Sequence, residues 1–390
     1  MLNVKRNQYK KGVLAAYGEM FLKSEGVRKL FQKKLVQNLR FFLIKGKVDF
    51  KIYSFRERIF IQTEQISKTI KIVKKVFGLV WLAESYYFPE IKLKDFSDFI
   101  AENYADWIKK NETFAIKLKL EKGLLRENRK KIIDKIAKSI ERKVDLTKPK
   151  RQIFVEIRRN GYWLYFKKQK GIGGLPSRSN DKVLTLVSGG IDSPVASYLI
   201  AKRGAENIWL HFHSFPLVSD ISIRKVRELA NVFLNYQPSL KIYFIPFQKI
   251  QLEIKTNAPP EYRVLLYRRA MLKIGEKIAK QEKCYALVLG ESLGQVSSQT
   301  LSNIGISSQG IKMPILRPLI GFDKEEIIKL AKKIGFFDIS IKPQEDCCTL
   351  FVSKHQTAEG KIDKVKKIEK FLKISKMVSK IVKEAKIELF

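Results

Sequence analysis

Six consecutive residues, Ser188-Gly189-Gly190-Ile191-Asp192-Ser193, combine the groups that an anionic ligand needs. They follow an apolar run at 183–187 and lead into a helical pattern at 194–202, whose first residue, Pro194, suits the opening turn of a helix. Such a turn aims backbone N–H groups and hydroxyls at one point. Glycines let the chain approach a phosphate closely, and the positive end of the helix dipole favours negative charge there. The Lys-Ser or Lys-Thr ending of a Walker loop is missing, so this is a different phosphate-binding device.

Other residues able to do chemistry are scattered along the second half. His211 and Phe212 end a strand-like run, and Arg268 lies in a long helical pattern. Gly290 to Gln299 read GESLGQVSSQ, a polar loop after a strand. Asp323 with Glu326 three residues later has the form of a capping box, which explains both acids without chemistry. Lys324 between them is explained neither by capping nor by packing. Cys347 and Cys348 follow Gln344-Glu345-Asp346 in a loop with Lys342 and Lys354 nearby, where basic surroundings would favour the thiolate. Cys284 precedes a strand and reads as a packing residue. Three cysteines without a C-x-x-C pair argue against a disulfide framework and a zinc knuckle, and the sequence suggests no metal-ligating cluster.

These residues need a scaffold. Strand patterns at 183–187, 207–212, 241–246 and 285–289 alternate with helical patterns at 194–202, 221–234 and 262–279, which predicts an α/β doubly wound parallel sheet. Ligands of such sheets sit beyond the C-terminal strand ends, where the loop at 188–193 falls. The front half has a different rhythm. A strand at 12–17, a helix at 27–42, strands at 48–53 and 58–62, a helix at 66–77 and a strand at 79–83 give the ferredoxin-like order. A second α+β unit follows, with helices from 95 and at 127–142 and strands at 114–120, 153–157 and 162–166. The expected domains are 1–80, 81–170, a Gly-rich linker at 171–180 (KGIGGLP and beyond), and 181–390.

Composition narrows the partner. The 390 residues are 45% apolar and carry 77 Lys and Arg against 39 Asp and Glu, a net charge of +38. Packed cores are expected, and so is an extended polyanion, with nucleic acid ahead of an acidic membrane. Residues 1–170 hold 42 basic and 18 acidic side chains and no catalytic-looking cluster, so the front half reads as the RNA-holding part. No secretory leader pattern and no run near the roughly 18 apolar residues of a membrane span is present, which predicts a cytoplasmic protein.

The string LVSGGIDSPVAS, the preceding KGIGGLP, HFHS at 211–214, LGESLGQVSSQTLSN and the early YGEMFLKS together resemble the tRNA 4-thiouridine synthetases, or tRNA sulfurtransferases. The resemblance covers nearly the whole chain. It implies an N-terminal ferredoxin-like domain, a THUMP domain and an ATP pyrophosphatase domain. It also implies ATP and Mg²⁺, an adenylated uridine at tRNA position 8, displacement of AMP by sulfur, and a second sulfur-transfer role in thiamine biosynthesis. Nucleotide contacts map onto Leu186, Val187, Ser188, Gly189, Gly190, Asp192, Ser193, His211, Phe212, Arg268, Gly290 and Gln299. Asp192, Lys324 and Cys347 map onto residues needed for activity. The partners implied are tRNA, gripped at its acceptor stem and 3′ end, and a persulfide-donating cysteine desulfurase or other sulfur donor, with a homodimer as a further expectation. Longer relatives append a rhodanese-like domain, whereas residues 361–390 here read as Lys-rich helices. Sulfur is therefore expected from another protein, from sulfide, or through Cys347 or Cys348. The competing reading is an idle RNA-binding protein that keeps an ATP-binding fold; intact Asp192, Arg268 and Lys324 speak against it.

Overall fold

The computed structural model describes residues 9–125, 127–343, 357 and 359–390. It divides into two compact units, the first ending at Gly174 and the second running from Leu175. The division falls inside the Gly-rich stretch, where Gly173 and Gly174 both have positive φ.

The first unit is built on one sheet. Strands β1 (Lys10–Tyr17), β2 (Lys51–Ser54), β3 (Arg58–Gln62) and β4 (Leu79–Phe88) alternate with helices α1 (Glu25–Lys45) and α2 (Ile66–Val73) in the ferredoxin-like order. Helix α1 buries Phe31, Leu35, Leu39 and Phe42, the i, i+4 stripe that packs a helix onto a sheet. Helices α3 (Leu93–Trp107) and α4 (Arg129–Lys138) and strands β5 (Phe114–Leu120), β6 (Arg151–Arg158), β7 (Gly161–Tyr165) and β8 (Gln169–Lys170) follow. The sheet order is β2-β3-β1-β4-β7-β6-β5, with β8 also on β4. Strand β4 thus runs through the boundary expected at 80/81. Its pairing with β1 extends over Leu79 to Tyr87, while Ser85 to Phe88 also pair with β7, so the two front domains share one sheet. Helix α4 is shorter than the periodicity suggests because Asn128 caps it, its side chain accepting from the Lys131 N–H at 2.9 Å.

The second unit has the sheet order β13-β12-β9-β10-β11-β14. Strands β9 (Lys182–Leu186), β10 (Glu206–His213), β11 (Lys241–Pro246), β12 (Ala286–Val288) and β13 (Ile315–Leu316) are parallel, as expected. The edge strand β14 (Lys386–Leu389) is antiparallel to β11 and was not expected, since the final residues read as helix. Helices α5 (Asp192–Ala201), α6 (Ile221–Phe233), α7 (Gln248–Asn257), α8 (Arg263–Gln281), α9 (Leu301–Ser308), α10 (Lys324–Ile334), α11 (Phe337–Ser340), α12 (Ile362–Phe371) and α13 (Ile374–Ile381) surround the sheet. Residues Leu210 and Phe212 of β10 point into the core with α8, so alternation along the strand sends His211 and His213 to the other face. No helix among the described residues is long and apolar enough to cross a membrane.

Candidate functional site

Strand β9 lies between β10 and β12, and the loop after it enters α5 at the point where strand order reverses. Ser193 shapes this loop from inside. Its Oγ accepts from the Ser188 N–H at 2.9 Å and lies 3.2 Å from the Ser188 hydroxyl, which in turn accepts from the Gly190 N–H at 3.3 Å. A loop fixed by its own serines presents the first turn of α5 with little left to reorganise when an anion arrives.

Gly290 explains why the chain after β12 must be bare. A Cβ there would lie 2.6 Å from Ser193 N and 2.8 Å from the Asp192 carbonyl carbon, both backbone atoms. The 290–299 loop therefore packs directly on the helix start. Gln299 holds that loop together, its side-chain oxygen accepting from the Ser292 N–H at 3.3 Å and its carbonyl from the Gly294 N–H at 3.0 Å.

The Asp192 carboxylate gathers two side chains. Lys324 Nζ donates to its Oδ1 at 2.6 Å and Gln295 Nε2 to its Oδ2 at 3.3 Å. Lys324 is carried there by helix capping: Asp323 and Glu326 form a complete capping box, Lys324 is the first residue of α10, and Gly335 closes the helix in the left-handed conformation. The side chain of Lys324 stays 44% exposed, so its ammonium is free to meet a ligand's phosphate as well as Asp192.

Arg268 on α8 and Arg317 after β13 both pair with one buried carboxylate, that of Glu291, and Arg268 also donates to Ser298 Oγ at 3.2 Å. Two guanidinium groups on one carboxylate leave a positive excess beside the loop, which suits a polyphosphate. Glu291, Gln295 and Arg317 were missed in the sequence reading. Their signal was weak, a charged residue in a polar loop and an Arg-Pro pair whose partners lie far along the chain.

The side chains of His211 and Phe212, two residues expected among the nucleotide contacts, are buried inside the protein. The His211 Nδ1–H donates to the Val187 carbonyl at 2.9 Å and its Nε2 accepts from the Ser222 hydroxyl at 3.3 Å, so both ring nitrogens are used inside the protein. Burial is the main cause that lowers its pKa to about 4, which keeps the imidazole neutral. Phe212 is buried against Phe247, with ring centroids 5.3 Å apart, so its ring is unavailable as a stacking platform. What these two residues can offer a nucleotide is backbone. Leu186 ends β9, and the buried Val187 just after it has both backbone groups engaged, its N–H donating to the Leu210 carbonyl at 2.8 Å and its carbonyl accepting from His211.

Cys347 and Cys348 lie outside the described residues. On the near side, Ser340 Oγ donates to the Gly190 carbonyl of the loop at 3.3 Å and Lys225 Nζ donates to the Lys342 carbonyl at 2.6 Å. On the far side, the Thr357 carbonyl accepts from Asn303 Nδ2 at 2.9 Å, and the same amide donates to Ser297 at 2.9 Å. Cys284 is buried and its thiol is pushed up to about 12 by that burial, in keeping with packing. Among the described residues no group of three or more His, Cys, Asp or Glu is placed to hold a metal ion.

Comparisons with known proteins agree along the length of the chain. Residues 178–374 match the family described as "Thiamine biosynthesis protein (ThiI)", residues 13–83 the "ThiI ferredoxin-like domain" and residues 101–167 the "THUMP domain". A chain of Thermoanaerobacter pseudethanolicus named "Probable tRNA sulfurtransferase" is 38% identical over 94% of this chain and 96% of its own length. Another so named, from Acetivibrio thermocellus, is 36% identical over 97% and 98%. Among solved structures, a 4-thiouridine synthetase in complex with RNA and bound ATP superimposes with a TM-score of 0.88 at 28% identity, covering 98% of this chain and all of that one.

Proposed function

Because the chain belongs to the ThiI family of tRNA sulfurtransferases, we propose that its second unit adenylates O4 of uridine 8 in tRNA and that sulfur then replaces the activated oxygen. The observation that carries this reading is the Asp192 carboxylate at the mouth of the serine-glycine loop, held by Lys324 and Gln295. Uridine O4 attacks the α-phosphate of ATP, the bond to the β-phosphate breaks, and pyrophosphate leaves into the loop at the α5 N-terminus. Lys324 and the excess charge of the Arg268–Glu291–Arg317 group lie where negative charge builds up. A sulfur nucleophile then adds at C4 and the C4–O bond breaks, releasing AMP. The 4-thiouridine made is the product, and the same sulfur chemistry serves thiamine biosynthesis.

Mg²⁺ fits this site as a companion of the nucleotide. It favours oxygen ligands and keeps water and phosphate in most positions, so one carboxylate, Asp192, suffices from the protein. When bound it supplies neutralising charge on the phosphates. The sulfur donor is assigned to a persulfide-carrying cysteine desulfurase, with Cys347 as the acceptor: the donor's outer sulfur passes to the Cys347 thiolate and leaves the donor as a thiol. The Cys347 persulfide adds to C4 through its outer sulfur, and a second thiol then breaks the S–S bond, leaving a disulfide that an external thiol reductant returns to thiols. The basic first unit grips the acceptor stem and 3′ end by phosphate and shape, and the reaction takes place in the cytoplasm. The test is release of pyrophosphate from ATP in the presence and absence of tRNA. Release that depends on tRNA supports adenylation of RNA; release indifferent to tRNA contradicts it.

A further inference from the structure

The face of the first unit's sheet opposite α3 and α4 carries an open cavity of about 290 Å³ at the seam of β4, β6 and β7. Along its floor three rings lie in a row. Tyr165 stacks on Trp81 at 5.4 Å and 28° and on Phe154 at 5.0 Å and 3°. Trp81 and Phe154 are only half-buried, so the row is not sealed into a core. Lys168 Nζ hangs over it, 4.7 Å from the Trp81 ring centre and 4.6 Å from that of Phe154. Lys117 and Lys119 line the rim. The one acid in the cavity, Glu156, is saturated: it accepts from Arg58 at 2.8 Å, Arg158 at 3.0 Å and the Tyr165 hydroxyl at 3.0 Å. It therefore positions cations and does not repel an anion.

Aromatic rings half-open to solvent, with ammonium groups above and beside them and no unpaired acid, match the chemistry of a nucleotide: a flat base for the rings and a phosphate for the cations. Duplex RNA buries its base faces and offers only phosphate and sugar. We propose that this cavity takes one unpaired nucleotide of the RNA substrate, its base stacked on the half-exposed rings at the ends of the row, Trp81 or Phe154, and its phosphate met by Lys117, Lys119 and Lys168. The proposal rests on RNA being the substrate, as argued above.

The full chain is tested in two assays, with thermal melting used to confirm that each variant is folded. In the first, intrinsic fluorescence is followed as a short single-stranded RNA, or the same sequence as a blunt duplex, is added. The single strand quenches wild type, the duplex quenches far less, and Trp81→Phe loses the quench because the reporting ring is gone. In the second, tRNA affinity is measured. Trp81→Ala weakens it by roughly tenfold, the size expected for one lost base stack, whereas Trp81→Phe stays within about twofold of wild type. The Lys117→Ala/Lys119→Ala pair lowers the salt dependence of binding by about one to two phosphate contacts. Equal quenching by duplex and single strand, or undiminished tRNA affinity in folded Trp81→Ala and Lys117→Ala/Lys119→Ala, would overturn the proposal while leaving RNA as substrate. Failure of wild type to bind tRNA would instead overturn the RNA reading itself.

Discussion

Asp192 and Lys324 meet at 2.6 Å although 132 positions separate them, whereas His211 is a residue of a different kind. The two ionisable groups form an ion pair at the phosphate loop and are proposed to act in the reaction; the imidazole ties the end of β9 to β10 and α6 through Val187 and Ser222. A pH dependence follows from that tie. His211 is held neutral in the fold with a pKa near 4, whereas the unfolded chain takes up a proton near 6.5. The stability it contributes is present above about pH 6.5, declines as pH falls and is gone below about 4; at its fullest it is on the order of 3 kcal/mol. Thermal melting of wild type and His211→Gln between about pH 7.5 and 4.5 checks this, the gap between the two narrowing as pH falls. The serine-glycine loop and its aspartate were legible in the sequence because one contiguous string encodes them. The burial of the His211 and Phe212 side chains was not. A strand-end residue shows its type in the sequence, but which face it occupies depends on the helices packed on either side.

At the scale of elements, α8 links the site to the end of the chain. Arg268 faces Glu291, and its neighbour Arg269 turns the other way to a buried carboxylate on α12: Nε and Nη2 donate to Glu369 at 3.0 and 2.9 Å, with Lys273 joining at 2.8 Å. Arg269 also donates to carbonyls at the end of α9, so one guanidinium fixes three helices. Glu369→Ala leaves that cation buried without its counter-charge and is expected to cost about 3–5 kcal/mol, read as a shift in the denaturant midpoint of the second unit. Helical periodicity foretold Lys-rich helices after 361, but the Lys-Ile-Glu-Leu alternation that makes β14 is too short to stand out. It is fixed by its neighbour β11 and by Arg227, which donates to both oxygens of Glu388 at 2.9 and 2.7 Å. Strand β4 crosses the expected 80/81 boundary for a related reason. Local pattern marks where a strand starts, and β4 continues because β7 pairs with it.

For the whole molecule, charge and sulfur supply divide the work. Residues 1–170 carry an excess of 24 positive charges, visible in the sequence by counting alone. Binding of tRNA by the full chain is therefore expected to weaken steeply with salt, by about tenfold or more between 50 and 200 mM, a dependence measured by filter binding across that range; affinity indifferent to salt would contradict the electrostatic grip. On the proposal that Cys347 delivers sulfur, Cys347→Ser should lose thiolation with a persulfide donor, keep tRNA-dependent pyrophosphate release, and be partly rescued by free sulfide, whose small nucleophile can reach C4 unaided. Thiolation by the Cys347→Ser/Cys348→Ser variant equal to wild type under persulfide would make both thiols spectators.

The central claim is that Asp192 and its partners activate a tRNA uridine for replacement of oxygen by sulfur. Mass spectrometry of nucleosides from tRNA incubated with the protein, ATP and sulfide tests it most directly. Wild type is expected to yield 4-thiouridine at position 8, while Asp192→Ala yields none yet binds tRNA within about threefold of wild type, or roughly 0.6 kcal/mol. Undiminished 4-thiouridine from Asp192→Ala, or none from wild type with ATP and sulfide both present, would contradict it.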